Sequence, residues 1–180
     1  MPPADASTEI TFRYATETDT AQVIALVESA YRGDASRRGW TTEADLLDGQ
    51  RTDAEEVASI LADAHARLML AIKHQQIVGC VVVKSEPNGA YIGMLAVSPT
   101  RQAAGTGRLL LTEAEARARL EFGATHVRMT VIEQRQELIG WYERRGYRMT
   151  EKTEPFPYGN PRFGLPKRDD LRFVVMEKAV

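Results

Sequence analysis

The chain has little cysteine, little imbalance of charge and no long apolar run, and each scarcity excludes something. One cysteine in 180 residues, Cys80, rules out a disulfide framework and a thiolate metal site. Cys80 sits inside IVGCVVV, where packing as a small buried hydrophobe in a strand is the expected role. No apolar stretch approaches the roughly 18 residues of a membrane span, and the opening MPPADASTEI lacks the basic-then-apolar pattern of a signal peptide. A cytoplasmic location is expected. Lys and Arg number 23 against 25 Asp and Glu, a formal net charge of -2. A nucleic acid or an anionic membrane as main partner demands a basic excess that is absent here. The histidines, His65, His74 and His126, share no ligand spacing, and no metal is implied.

What is present has the size and balance of one globular domain: 43% of residues are hydrophobic and 27% charged. Residues 1–8, rich in Pro, Ala, Asp and Ser, read as a loose end, and 9–180 as a single domain. ITFRYAT alternates as a half-buried strand does. Thr16 and Asp19 then form a capping box for a helix carrying Val23, Leu26, Val27 and Ala30 at helical spacing. Two further helix starts are expected, at Thr42 with Asp45 and at Thr52 with Glu55, the latter leading through Val57, Ile60 and Leu61. From Leu68 the period changes. LMLAIKHQ and IVGCVVVK read as a hairpin, and a turn through Asn88 and Gly89 leads into YIGMLAV. A helix over 107–122, the strand HVRMTVI, the helix QELIGWYERRG and the strand YRMTEK follow. TEPFPYGNPRFGLPKRDD is too rich in Pro and Gly for regular structure, and LRFVVMEKA is a last strand. This order predicts an α/β or α+β fold, a mixed sheet with helices on its faces.

Between the strand LAVSP and the 107–122 helix lies RQAAGTGRLLL. A helix N-terminus presents unpaired N–H groups and partial positive charge, so anions settle there. The run Ala103-Ala104-Gly105-Thr106-Gly107 holds nothing larger than threonine, so the backbone can approach a phosphate, and Arg101 and Arg108 add charge. A triphosphate P-loop requires Lys and then Ser or Thr where Arg108 and Leu109 stand. A dinucleotide fingerprint requires a third small residue where Leu110 stands. Both fail.

The span from Met94 to Thr150 resembles the core of the GNAT superfamily of acyl-CoA-dependent N-acetyltransferases. Gln102-Ala103-Ala104-Gly105-Thr106-Gly107 matches the family's pyrophosphate turn, Arg/Gln-x-x-Gly-x-Gly/Ala. Trp141-Tyr142-Glu143-Arg144-Arg145-Gly146-Tyr147 is similar to its Leu-Tyr-Glu-Lys-x-Gly-Phe. The resemblance implies a mostly antiparallel central sheet of about seven strands with helices on both faces. It also implies acetyl-CoA as cosubstrate, and direct attack by an amine in a ternary complex. Carried over, the cofactor contacts are Leu95, Ala96 and Val97 on the splayed strand, residues 102–108 at the turn (Gln102, Ala103, Ala104, Gly105, Thr106, Gly107, Arg108), and Arg135, Leu138 and Trp141. Arg135 stands where the family often has asparagine. Tyr142 is the implied general acid.

The family often places a glutamate base on the strand that here reads YIGMLAV, which has no carboxylate. Glu133 and Glu43 are the candidates in its stead, with water as the third. The acceptor is expected between the early helices and the last hairpin, near Tyr31, Trp40, Glu43, Met94 and Phe163. Charge there is mixed: Glu43, Asp34 or Asp45 suit a cationic amine, and Arg32, Arg37, Arg38 and Arg162 equally suit a carboxylate or phosphate. The expected reaction is acetyl transfer to a primary amine of a small molecule or amino acid. The alternatives are a weakly catalytic acyl-CoA sensor and a protein or peptide acetyltransferase. The resemblance also implies a possible homodimer, paired through the sheet edge or the last strand.

Overall fold

In the computed structural model, which describes residues 9–180, the apolar runs around Cys80 form the middle of a sheet. The end expected to be loose, 1–8, lies outside the described residues. The elements run β1 (Thr11–Tyr14), α1 (Thr20–Tyr31), α2 (Gly33–Ser36), β2 (Leu47–Asp48), α3 (Ala54–Ala62), β3 (Ala66–Lys73), β4 (Gln76–Glu86), β5 (Gly89–Val97), α4 (Thr106–Phe122), β6 (His126–Ile132), α5 (Gln136–Glu143), β7 (Arg148–Pro155), β8 (Leu165–Pro166) and β9 (Arg172–Ala179). Short 3-10 turns occupy Glu17–Asp19, Pro99–Ala104 and Pro161–Phe163. Seven strands make one sheet in the order β1-β3-β4-β5-β6-β9-β7, antiparallel throughout except at β5 and β6.

β4 is apolar on both faces because both are covered. Val81 and Val83 pack with Leu110, Leu111, Ala114 and Ala118 of α4 and Ile139 of α5. Cys80 and Val82 face the other way, onto Val23, Leu26 and Val27 of α1 and Val57 of α3. The Thr16 and Asp19 capping box forms as expected, with Asp19 also held by Arg13 through two 2.8 Å bonds. Three expectations fail. Thr52 and Glu55 do not cap α3; Asp53 does, accepting the Glu56 N–H at 2.8 Å. Thr42 and Asp45 start no helix; the chain there enters β2, which pairs with β8. The Pro-rich segment is accordingly more ordered than its composition suggests, because β8 borrows its hydrogen bonds from the chain's other half.

The sheet is interrupted where it will matter. Cys80 pairs with Ala96 but Val82 with Gly93, so β5 carries one residue more than β4 between these points, a bulge. Met94 sits at that bulge with φ 50°, a left-handed conformation that costs a methionine on the order of 1–3 kcal/mol. Its carbonyl turns to the Cys80 thiol, which donates to it at 3.6 Å. On the other side β5 pairs with β6 only at Ala90 with Val127 and Tyr91 with Arg128. Beyond these pairs the two strands diverge, and the gap is the site.

Candidate active site

At the C-terminal end of β5 the chain makes the Pro99–Ala104 turn, reverses at Gly105 with φ 81° and enters α4. A Cβ at Gly105 would meet nothing within 4 Å; glycine is there for the backbone angle. Beside this turn lies a cavity of about 340 Å³ lined by Leu95, Ala96 and Val97 of β5, Gly105 and Gly107 of the turn, and Trp141 and Tyr142 of α5. Four arginines also line it, Arg108, Arg135, Arg144 and Arg145, and no carboxylate does. The Arg145 guanidinium lies 3.6 Å from the Trp141 ring centroid, and its Nε is buried without a partner among the described residues. Burial, then the charges of Arg144 and Arg108, pull the Arg145 pKa down, so the cluster favours an incoming anion. Helix amides, the guanidinium groups of Arg108, Arg144 and Arg145 and an apolar channel toward β5 fit a diphosphate carrying an acylated thiol arm.

A second cavity of about 240 Å³ fills the gap between β5 and β6, walled by Ile92, Met94, Met129 and Val131 and by Phe156 and Phe163 of the late segment. Tyr31, Leu95, Arg135, Leu138 and Tyr142 line both cavities. Tyr142 is thus in the wall between them. Its hydroxyl makes no hydrogen bond to any described residue, and burial raises its pKa well above the ordinary phenol value. Tyr31 donates to the Leu95 carbonyl at 2.7 Å, and burial pushes its pKa up to about 12. Glu43 is buried between two arginines: one oxygen accepts from Arg32 and the other from Arg135 at 3.0 Å. Burial alone would raise the Glu43 pKa, but the charges of Arg135 and Arg32 outweigh it and hold the carboxyl below its usual range. Among the described residues, no group of three or more His, Cys, Asp or Glu is arranged to hold a metal, and no helix is long and apolar enough to cross a membrane.

Residues 24–147 match the family model described as the acetyltransferase (GNAT) family. The chain belongs to the GNAT acetyltransferase family. Its fold is similar to the ribosomal-protein-alanine N-acetyltransferase from Brucella melitensis, at 18% identity and TM-score 0.67, covering 94% of this chain and 99% of that one. It is similar as well to a GNAT acetyltransferase from Staphylococcus aureus, at 16% identity and TM-score 0.66 over 95% and 99% of the two chains. A Bacillus anthracis acetyltransferase solved with acetyl coenzyme A aligns over 68% of this chain and 67% of its own, at 18% identity and TM-score 0.57. A search of the curated proteins finds no match.

In this GNAT acetyltransferase, acetyl-CoA is the cosubstrate, and most residues expected to meet it come together. Leu95, Ala96, Val97, Gln102, Gly105, Gly107, Arg108, Arg135, Leu138 and Trp141 all line the first cavity. Ala103 and Ala104 lie in the turn and Thr106, buried, starts α4; Ala104 and Thr106 do not line the cavity. Gln102 is also a brace: its Nε2 donates to the Val97 carbonyl at 3.1 Å, and its Oε1 accepts from the Trp40 N–H at 3.1 Å. Of the expected acceptor residues, Tyr31, Glu43, Met94 and Phe163 line the second cavity. Trp40 does not. It stacks on Trp141, ring centroids 6.1 Å apart, on the cosubstrate side.

Glu133 is not brought to the site: it lines neither cavity, and Arg172 grips both its oxygens at 2.7 Å in a surface ion pair that lowers its pKa. Glu43 is brought to the second cavity, but both its oxygens accept from arginines, an arrangement that favours a fixed ion pair over a base or an amine attractor. Sequence reasoning missed Arg51, Glu56 and Tyr91 in the second cavity and Arg144 and Arg145 in the first. For the last two a signal existed, adjacent arginines inside the WYERRGY motif; for Arg51 in DGQRTD there was none.

Proposed function

We propose that the protein transfers an acetyl group from acetyl-CoA to the primary amine of a small molecule, in a ternary complex with the amine in the β5–β6 gap. The observation that carries this reading is the shared wall: Tyr142 and Leu95 border both the arginine-lined cavity and the gap. Acetyl-CoA supplies a thioester carbonyl whose carbon–sulfur bond breaks as the new amide bond forms. The protein holds the two reactants together, and proximity alone accounts for several kcal/mol of such a barrier. The Tyr142 hydroxyl, without a partner among the described residues, stays protonated and is the proton donor to the departing sulfur, while water takes the proton that the amine nitrogen loses and returns one to the phenolate.

A small acceptor suits the roof over the gap. Arg162 clamps Asp53 at 2.7 and 2.9 Å, Arg32 donates to the Phe163 carbonyl at 3.0 Å, Lys167 donates to the Ala44 carbonyl at 2.8 Å, and β8 pairs with β2. A peptide requires an open groove, and these ties close one. The buried, unpaired Cys80 thiol suits the reducing cytoplasm, and the exposed edge strand β7 is the surface through which two copies would pair.

The test is thiol release from acetyl-CoA across small amines and short peptides with free N-termini. Small amines are expected to drive release with intersecting double-reciprocal plots. Faster turnover of the peptides would overturn the acceptor class, and cofactor binding without any amine-dependent release would support the sensor alternative.

A further inference from the structure

Resting on that reading, the arrangement of charge in the second cavity names the acceptor more closely. Three arginines, Arg32, Arg51 and Arg135, and two glutamates, Glu43 and Glu56, line it, which leaves one positive charge uncompensated. Glu43 is taken by Arg32 and Arg135. Arg32 is further fixed by the Phe163 carbonyl, and Arg135 by the Thr41 hydroxyl at 2.6 Å. Of the three, Arg51 is the one whose guanidinium donates no hydrogen bond to a described residue. Its nearest carboxylate oxygen, on Glu56, is 3.9 Å away, too far for a hydrogen bond. That oxygen already receives the Thr52 hydroxyl at 2.6 Å. The side chain keeps 24% of its surface, as a group lining a cavity does, and lies 5.3 Å from the centroid of the Tyr31 ring.

Arg51 is also held in place from behind. The Glu28 carboxylate of α1 accepts the backbone N–H groups of Arg51 and Thr52 at 2.7 and 2.9 Å. The backbone is pinned while the guanidinium, within ion-pair range of Glu56, keeps hydrogen-bond donors for an incoming anion. A guanidinium fork matches a carboxylate in two parallel hydrogen bonds. We propose that Arg51 anchors a carboxylate of the acceptor, so that the substrate is an amino acid or a similar carboxylate-bearing amine. Its apolar part lies against Phe156, Phe163 and Phe173, which line the same cavity.

The experiment compares matched acceptors: α-, β- and γ-amino acids, each beside its own carboxamide and its decarboxylated amine, in kcat/KM at one pH. For at least one spacing the wild-type protein is expected to favour the carboxylate over both neutral partners by about tenfold to a hundredfold, the range of hydrogen bonds to a charged group. In Arg51→Met that ratio should collapse toward one, with Arg51→Lys between, while calorimetric CoA affinity reports that the variant is folded. A wild-type ratio at or below one for every spacing overturns the anchor, as does a ratio that survives in Arg51→Met. Neutral amines turning over without preference would sink this inference alone. Turnover of no small amine would sink the small-acceptor reading instead, and calorimetry of the CoA-loaded protein with each amino acid and its carboxamide then decides on Arg51 separately.

Discussion

Arg32 and Arg135, more than a hundred residues apart in sequence, hold opposite oxygens of the one Glu43 carboxylate. The trio ties α1, the 41–46 segment and the start of α5 together beneath both cavities. Removing the shared charge strands two buried guanidinium groups, which typically costs about 3–5 kcal/mol. Glu43→Gln should lose about that much in urea unfolding at neutral pH. The Glu43 carboxyl is held below its usual range, so its contribution is complete above the unfolded pKa near 4.5 and fades as pH falls through the lower folded value. The gap between wild type and variant should therefore narrow on acidification. A gap independent of pH down to full protonation would show that the carboxylate charge is not what holds the arginines.

Tyr142 stands edge-on to Trp141 and to Tyr147, with ring centroids 5.1 and 5.6 Å apart. This packing fixes the ring, while its hydroxyl is left without a described partner. Tyr142→Phe keeps the packing and removes the proton donor. The expected result is a fall in kcat of about 10²–10⁴, the usual worth of a positioned acid, with little change in the KM for acetyl-CoA. Since burial holds the phenol neutral far above pH 7, the wild-type rate should show no loss from Tyr142 ionisation up to about pH 10. Glu133→Gln serves as contrast: outside both cavities, it should leave kcat/KM within about twofold, the size of ordinary surface effects. A large loss there would restore Glu133 as the base.

The two motifs that carry the family were legible in the sequence because each encodes a local requirement. Gly105 supplies a left-handed angle before a helix, and Tyr142 sits one helical turn after Leu138 on a face that packs inward. Strand runs were legible for the same reason: β6 runs over the HVRMTVI that its alternation marks out. What stayed hidden depends on tertiary pairing. β8 forms only because β2 lies beside it, and Glu133 looked available until Arg172, on β9, was brought opposite. Arg51 carries no sequence signal at all, since its surroundings, Tyr31, Glu28 and Glu56, come from two helices that only the fold assembles.

Gly105 separates the conformational from the steric part of the cosubstrate site. A Cβ there would touch nothing, so Gly105→Ala is penalised only through φ 81°, at about 1–2 kcal/mol. The strain can be relieved by rotating the turn away from its left-handed angle, which misaims the first amides of α4. Isothermal titration with CoA should then show affinity lowered by about tenfold, an amount of the same order as that strain, with Gly105→Asn less affected because asparagine tolerates this region. Equal affinity in Gly105→Ala and wild type would mean that the angle is not needed for binding.

Tyr91 closes the narrow end of the β5–β6 gap, and Gly93 makes room for it. The last paired residue of β5, Tyr91, lays its ring along its own strand, so that a Cβ at Gly93 would come within 2.5 Å of a ring carbon. Its hydroxyl lies 3.4 Å from that of Thr130 on β6, and Arg128 covers the ring at 5.0 Å from the centroid. Gly93→Ala cannot be absorbed without moving the ring, and overpacking of this kind costs about 1–3 kcal/mol. Tyr91→Ala removes the obstacle at its own cost in packing. In a double-mutant cycle the two changes should be less than additive, the alanine at 93 costing little or nothing once the ring is gone. Strict additivity in urea unfolding would show that the ring and the glycine are independent, and that the divergence of β5 from β6 is set by the Met94 bulge alone.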